Sequence, residues 1–291
     1  MEYTIGIIGI GFVGGAIKKF FETNETYVKI KRVIGYDKYK EPYNTIEQLY
    51  ELIERSDIIY MCLPTPFDSE RCYNTEEMEC TIRIINEVLL KIPIDERTSK
   101  CIVSKSTMTP TMFNTILSNV YVDKQTITDL KIGYIHNPEF LSARTAYIDF
   151  CQQSHVVIGK TECCSSSIFQ MFEQFNRNVF PNANISTCDS NTSETMKILV
   201  NTFYASKIMI MNEYYMMCKQ LGINYDDVID LMLKNGWINP MHTLVPGTDG
   251  KLGFGGTCFT KDTYALHTFM KQHNMMSGIL ENVIEECKKL R

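Results

Sequence analysis

Nowhere in the 291 residues does an uninterrupted apolar run approach the roughly 18 residues a membrane-spanning helix needs, so no transmembrane segment is expected. Positive charge is not in excess either. The 29 Lys and Arg against 34 Asp and Glu leave a formal net charge of -5, which gives nucleic acid or an anionic membrane no electrostatic hold. The one basic cluster of note, KIKR at residues 29–32, reads as a solvated face. The opening MEYTIGIIGIGFVGG carries an acid at position 2 and no basic stretch, so it reads as a strand rather than a secretory signal. No CxxC pair occurs, and the vicinal Cys163-Cys164 has no His or Cys at zinc-finger spacing, so no metal is expected. Eleven cysteines without a secretory signal point instead to free thiols in a reducing, cytoplasmic compartment. Most of them read as small, buried apolar side chains.

What is present is a chain long enough for two domains, with 44% hydrophobic and 22% charged residues. Apolar runs at residues 3–9, 33–37, 57–63, 101–105, 132–135 and 155–158 read as buried strands. The third stops at Pro64-Thr65-Pro66, where proline ends ladder pairing. Between them, residues 16–21, 43–55 and 76–91 carry apolar side chains at helical spacing. Strands alternating with helices predict an α/β fold, a doubly wound parallel sheet with helices on both faces. After about residue 188 the pattern changes. Residues 193–221 contain no Gly or Pro and predict one long helix, with a shorter one at 224–233. A Gly- and Pro-rich loop at 236–256 and a last helical stretch at 262–290 follow. The expected division is a sheet domain at 1–188 and a helical domain at 189–291.

Gly9-Ile10-Gly11-Phe12-Val13-Gly14 fits GxGxxG directly after a strand and at the opening of a helix, the context in which that string carries meaning. The first glycine permits the tight turn. The second lets backbone approach a pyrophosphate, and the third lets the helix pack closely. Asp37, at the end of the second strand, is placed to accept from ribose hydroxyls and to repel a 2′-phosphate. The first domain therefore reads as Rossmann-like, with NAD preferred over NADP.

The second chemical segment is Gly253-Phe254-Gly255-Gly256-Thr257-Cys258-Phe259-Thr260-Lys261-Asp262. Cys258 stands where a helix begins, and both a helix N-terminus and Lys261 favour thiolate, the nucleophilic form. Local sequence leaves two readings open: a nucleophile, or one inert thiol among eleven.

Read as VPGTDGKLGFGGTCFTKD, this segment resembles the active-site loop of the UDP-glucose/GDP-mannose dehydrogenase family. GIIGIGFVG, CLPTP, KSTMTP, HNPEFL and SETMKILVN match further family motifs in the family's order. The resemblance covers residues 4–291. It implies two Rossmann-like domains joined by a long helix, which in this chain means a sheet domain, the connecting helix and a helical central domain. It also implies oxidation of a nucleotide sugar's primary alcohol to a carboxylate with two NAD, taking UDP-glucose to UDP-glucuronate.

Carried over residue by residue, the family assigns Cys258 as the nucleophile that holds the aldehyde as a thiohemiacetal and then a thioester. Lys197 and Asn201, four apart on one helix face, would donate to the oxygen that becomes anionic. Asp262 would assist proton removal. Thr107 would hold an ordered water near the nicotinamide, and Glu139 would assist thioester hydrolysis. Thr65 joins Gly9, Gly11, Phe12, Val13, Gly14, Asp37 and Thr107 as cofactor contacts. Phe140, Leu141, Phe254 and Gly255 join Glu139, Lys197 and Asn201 around the sugar. Outside the family each has a plainer reading: a surface lysine, a helix-face amide, an acid in a helix's first turn, a strand-end hydroxyl, a loop carboxylate.

Two departures stand out. Many relatives read PEFLRE where this chain reads PEFLSA, so Ala143 replaces a second glutamate and Arg144 follows, which implies slower thioester hydrolysis. Relatives also continue into a third, UDP-binding domain, and this chain is expected to lack it. The long helix is expected to build a homodimer. The reading from a different class is an NAD-binding dimerisation module without turnover. A dehydrogenase for a smaller hydroxy compound is a third, and it would not need Cys258.

Overall fold

The structure is a computed structural model and describes residues 2–23, 26–121 and 124–291. In chain order the first elements are β1 (Glu2–Ile8), α1 (Phe12–Thr23), β2 (Lys29–Tyr36), α2 (Ile46–Arg55), β3 (Ile58–Met61), β4 (Phe67–Asp68) and β5 (Cys72–Tyr73). Next come α3 (Glu76–Leu90), β6 (Lys100–Ser104), α4 (Met112–Val120), α5 (Lys124–Asp129), β7 (Ile132–His136), α6 (Ala146–Cys151) and β8 (His155–Lys160). The chain continues through α7 (Ser166–Val179), β9 (Asn184–Asp189), α8 (Ser190–Leu221), α9 (Tyr225–Lys234), α10 (Thr257–Gln272) and α11 (Gly278–Leu290). These form two compact units, Met1–Thr65 with Asn74–Thr195, and Pro66–Tyr73 with Met196–Arg291.

The first unit is the expected Rossmann-like α/β sheet, ordered β2-β1-β3-β6-β7-β8-β9. Alternate strand residues feed two cores. Ile5, Ile58, Tyr60 and Val103 pack with α1, α6 and α7, whereas Ile59, Met61 and Ile102 pack with α2, α3 and α4. Helices thus cover both faces, which is why the strands read as near-continuous apolar runs. Strand order reverses direction at β1, which pairs with β2 on one side and β3 on the other. The crevice at such a switch point is where this architecture binds ligands.

The sheet is mostly parallel, and the one antiparallel junction among its strand pairs in the described residues is β7–β8, paired through Ile135↔Lys160 and His136↔Gly159, while β8 and β9 run parallel to each other. Pairing is confined to the last two residues of β7, so the earlier part of β8 runs on beyond the ends of the parallel strands. The 137–154 connection therefore need not cross back over the sheet, and HNPEFL stays at the carboxyl end. β9 escaped the sequence reading because NISTCD is an edge strand with alternating, half-polar burial.

α8 is 32 residues long, about 48 Å at the usual helical rise, and belongs to the second unit from Met196 onward. It packs with α9 through Met211, Cys218, Tyr225 and Ile229, and with α11 through Ala205, Met209, Val283 and Cys287. The single helix expected at 262–290 is two helices. Asn274, with φ 53°, ends α10 in the left-handed region, where the amides of Asn274 and Met275 bond back to Lys271 and Met270. α10 also begins five residues earlier than expected, after Gly256 at φ 79°. The two-stranded hairpin of β4 and β5 belongs to this unit and lies along α10. Among the described residues, no helix is long and apolar enough to cross a membrane.

Candidate active site

The glycine loop sits at the carboxyl end of β1. Gly9 has φ 91°, and a Cβ there would lie 2.5 Å from the Cys62 carbonyl oxygen. A Cβ on Gly14 would come within 1.9 Å of the Gly9 oxygen, so the third glycine lets α1 press against the first. Gly11 alone of the three faces open space, the position from which backbone can meet a phosphate. The first turn of α1 carries no acid, and Phe12 there is exposed. Asp37 braces the loop: Oδ2 accepts from the Ile10 amide at 2.7 Å and Oδ1 from the Tyr39 amide at 3.0 Å. Those bonds leave lone pairs for ribose hydroxyls. Lys40 adds a bond to the Ile10 carbonyl at 3.2 Å. The residues present fit a dinucleotide.

At the neighbouring strand ends, buried Thr65 donates its hydroxyl to the Thr107 carbonyl at 2.9 Å. Buried Lys105 donates to Asn137 Oδ1 at 2.8 Å, and His136 bridges Ser193 and the Ser106 carbonyl. Glu139, half-buried, accepts from the Leu141 amide at 2.5 Å, and Phe140 stacks on His155. Cys62 lies in the field of both Lys105 and Glu139, while burial pushes its thiol up to about 12, so it stays protonated. Ala143 and Arg144 are exposed.

In the second unit, the family-assigned groups converge in a way the local sequence did not reveal. Lys197 and Asn201 are 3% and 6% exposed and Asp262 is fully buried, so none is a surface group. Asp262 lies in the second turn of α10, not at the helix mouth. Asn201 Nδ2 donates to Asp262 Oδ2 at 2.6 Å, and Lys197 Nζ donates to Asn201 Oδ1 at 3.5 Å. Lys261 donates to Asp262 Oδ1 at 2.5 Å. Cys258, exposed in the first turn, is four residues before Asp262 and so on the same helix face. One member went unnoticed in the sequence. Tyr73, fully buried on β5, donates to Asp262 Oδ1 at 2.5 Å with Lys261 4.8 Å over its ring. Burial, reinforced by the Asp262 carboxylate, raises the Tyr73 phenol well above its ordinary range, so it remains a donor. No motif marks a tyrosine 189 residues from its partner.

The glycine stretch before α10 is tightly held. Asn212 Oδ1 accepts from the Gly253 amide at 2.9 Å, and Phe254 is buried with its carbonyl accepting from Cys287. Arg291 bonds the Leu252 and Gly253 carbonyls and Asp249. Its guanidinium lies so close to Gly255 that a Cβ there would sit 2.3 Å away.

Sheet, glycine loop and buried polar cluster together define a dinucleotide-binding α/β protein with an exposed cysteine beside a carboxylate. Comparison with known proteins narrows that class. Residues 36–176 match the NAD binding domain, and residues 191–287 the central domain, of the UDP-glucose/GDP-mannose dehydrogenase family. The chain belongs to that family, and its cofactor is NAD. It is 25% identical over 242 residues to UDP-glucose 6-dehydrogenase of Rickettsia felis, covering 81% of this chain and 49% of the relative. GDP-mannose 6-dehydrogenase of Pseudomonas putida is 28% identical over 219 residues, covering 74% and 47%. The chain thus spans about half the length of the curated relatives it matches. A UDP-glucose dehydrogenase structure from Pyrobaculum islandicum superposes with TM-score 0.78 at 20% identity, covering 99% of this chain and 68% of that one. At that identity the likeness speaks for the fold.

Proposed function

We propose that this chain is a nucleotide-sugar 6-dehydrogenase that takes the primary alcohol of UDP-glucose to the carboxylate of UDP-glucuronate. The observation carrying the reading is the buried Lys197–Asn201–Asp262 cluster one helical turn from exposed Cys258. Burial of a lysine, an amide and a carboxylate costs free energy unless their bonds serve a purpose. When bound, NAD accepts the hydride leaving the sugar carbon in each of two oxidations. Asp262 takes the hydroxyl proton in the first, which leaves an aldehyde. Cys258 Sγ then adds to the aldehyde carbon as its thiol proton passes to the carbonyl oxygen, giving a thiohemiacetal hydroxyl beside the donors of Lys197 and Asn201. Loss of that hydroxyl proton with the second hydride leaves a thioester on Cys258. Water, assisted by Glu139, releases the acid and regenerates the thiol. One of the two Asn201 amide hydrogens is committed to Asp262, so Lys197 carries most of the oxyanion role. Thr65 and Thr107 serve the cofactor end, and Asp37 favours NAD over NADP.

The test is NADH formed per sugar acid from UDP-glucose, with GDP-mannose in parallel, before and after alkylation with iodoacetamide. Two NADH per acid, lost on alkylation, supports the reading. No NADH from either sugar nucleotide at high concentration overturns it in favour of an NAD-binding dimerisation module. Eleven free thiols fit a cytoplasmic setting. A homodimer built on residues 193–221 completes the proposal. Leu199, Phe203, Ile210, Tyr214, Met217 and Leu221 form an exposed apolar stripe at helical spacing along α8. Light scattering at micromolar concentration should give a dimeric mass, and a monomer would refute it.

A further inference from the structure

A carboxylate offers about four lone-pair positions, two on each oxygen. Asp262 Oδ1 accepts from both Tyr73 and Lys261, which fills it, while among the described residues Oδ2 accepts from Asn201 alone. The open position is therefore on Oδ2, beside the amide that Lys197 reaches. Tyr73 holds this arrangement from outside the helix. Its hairpin is fastened along α10 at two further points. Phe67 packs on Tyr264 with ring centroids 5.5 Å apart, and Gln272 donates to the Glu70 carbonyl at 2.7 Å while accepting from Cys72. Asp68 fixes the turn by accepting from the amides of Glu70 and Arg71, each at 2.8 Å. Opposite the turn, Tyr73 pairs with Phe67 across the hairpin, so the fastened strands set the height of its hydroxyl on the helix.

We propose that Tyr73 is a positioning residue for the reaction, saturating Oδ1 of Asp262 with Lys261 and so leaving Oδ2, on the Asn201–Lys197 side, as the oxygen that takes the substrate proton. The inference rests on the dehydrogenase reading above. Without the Tyr73 hydroxyl, Lys261 occupies one position on Oδ1 and the carboxylate can turn either oxygen toward the proton. Asp262 is bonded by Tyr73 from β5, by Asn201 from α8 and by its neighbour Lys261 on α10, with Lys197 reaching Asn201 and Cys258 one turn earlier on α10. A neutral phenol orients the carboxylate without changing the net charge of the cluster. Sugar affinity therefore has no reason to change with its loss, whereas proton transfer does.

The experiment compares Tyr73→Phe, Asp262→Asn and the double variant with the unaltered protein, measuring kcat and KM for UDP-glucose, with melting temperature alongside. Tyr73→Phe keeps the ring under Lys261 and removes one oxygen. It should lower kcat roughly ten- to hundredfold, as misplacement of a catalytic group does, with KM within about twofold. In the Asp262→Asn background the same change should cost less than about twofold, because residues acting through one another are not additive. If Tyr73→Phe proves too unstable to assay, Lys261→Gln, which removes the other donor to Oδ1 together with its charge, should also lower kcat, and an unchanged kcat there overturns the saturation of Oδ1. Unchanged kcat in Tyr73→Phe, a loss confined to KM, or full additivity with Asp262→Asn overturns the role of Tyr73 and leaves the dehydrogenase reading intact. An unaltered protein that forms no NADH overturns both.

Discussion

The two units build their functional ends from different material. In the first unit the cofactor loop is mostly backbone: three glycines whose value lies in what they lack, braced by one carboxylate on two amides. In the second the groups proposed for catalysis are all side chains, drawn from β5, α8 and α10, whose contacts span 61 and 189 residues of sequence. A backbone site depends on local shape and tolerates no added atom at Gly9 or Gly14. A side-chain site depends on tertiary packing and fails when one donor or nucleophile is removed.

Four substitutions probe that contrast, from the largest expected effect to the smallest. Cys258→Ser should abolish completion of the reaction, because a serine hydroxyl is a far poorer nucleophile and its ester lacks thioester reactivity. Only weak first-step NADH should remain, and undiminished formation of two NADH per acid would break the side-chain half of the contrast. Gly14→Val should weaken NAD by about two orders of magnitude or more, since its Cβ would fall 1.9 Å from a backbone oxygen and force the loop apart. Calorimetric titration would reveal it, and near-normal NAD affinity would show that the loop is not the rigid backbone cradle described above.

The third concerns a buried acid of the first unit with few donors. Glu194 is fully buried, its Oε1 has no hydrogen-bond partner among the described residues, and Oε2 accepts from the Phe113 amide at 3.3 Å. Burial pushes its carboxyl up to about 8 from an ordinary 4.5. The folded chain thus holds a proton that the unfolded chain releases between about pH 4.5 and 8, and stability falls as pH rises through that window. Glu194→Gln should remove this slope, matching the parent near pH 5 and exceeding it near pH 8 by on the order of a few kcal/mol. Urea midpoints that follow parallel pH curves would contradict the assignment. Smallest is Asp37→Ala, which should narrow the NAD preference about tenfold by weakening NAD. If NADP binds the unaltered chain as tightly as NAD, Asp37 does not set the choice.

Legibility followed the same division. GxGxxG, its strand and Asp37 were readable because each lies within one local stretch and has its own geometry. The polarity of β8 was not, since strand direction depends on where a connection lands and leaves no mark in periodicity. The glycines before Cys258 marked the start of α10, although the apolar periodicity picked it up only from residue 262. Lys197 and Asn201 looked like surface groups until the family motifs were recognised, and the structure then placed both in the interior. Tyr73 carried no signal, because its partner lies at the other end of the chain.

That distance has a consequence for synthesis. At about 5–20 residues per second, Tyr73 leaves the ribosome roughly ten to forty seconds before Asp262 exists. Phe67, Cys72 and Tyr73 must spend that interval without the helix they pack on. Because the second unit draws on both ends of the chain, no N-terminal fragment can mature it. A gene cut after the first sheet would yield a hairpin with nothing to dock on, the kind of exposed surface that chaperones hold.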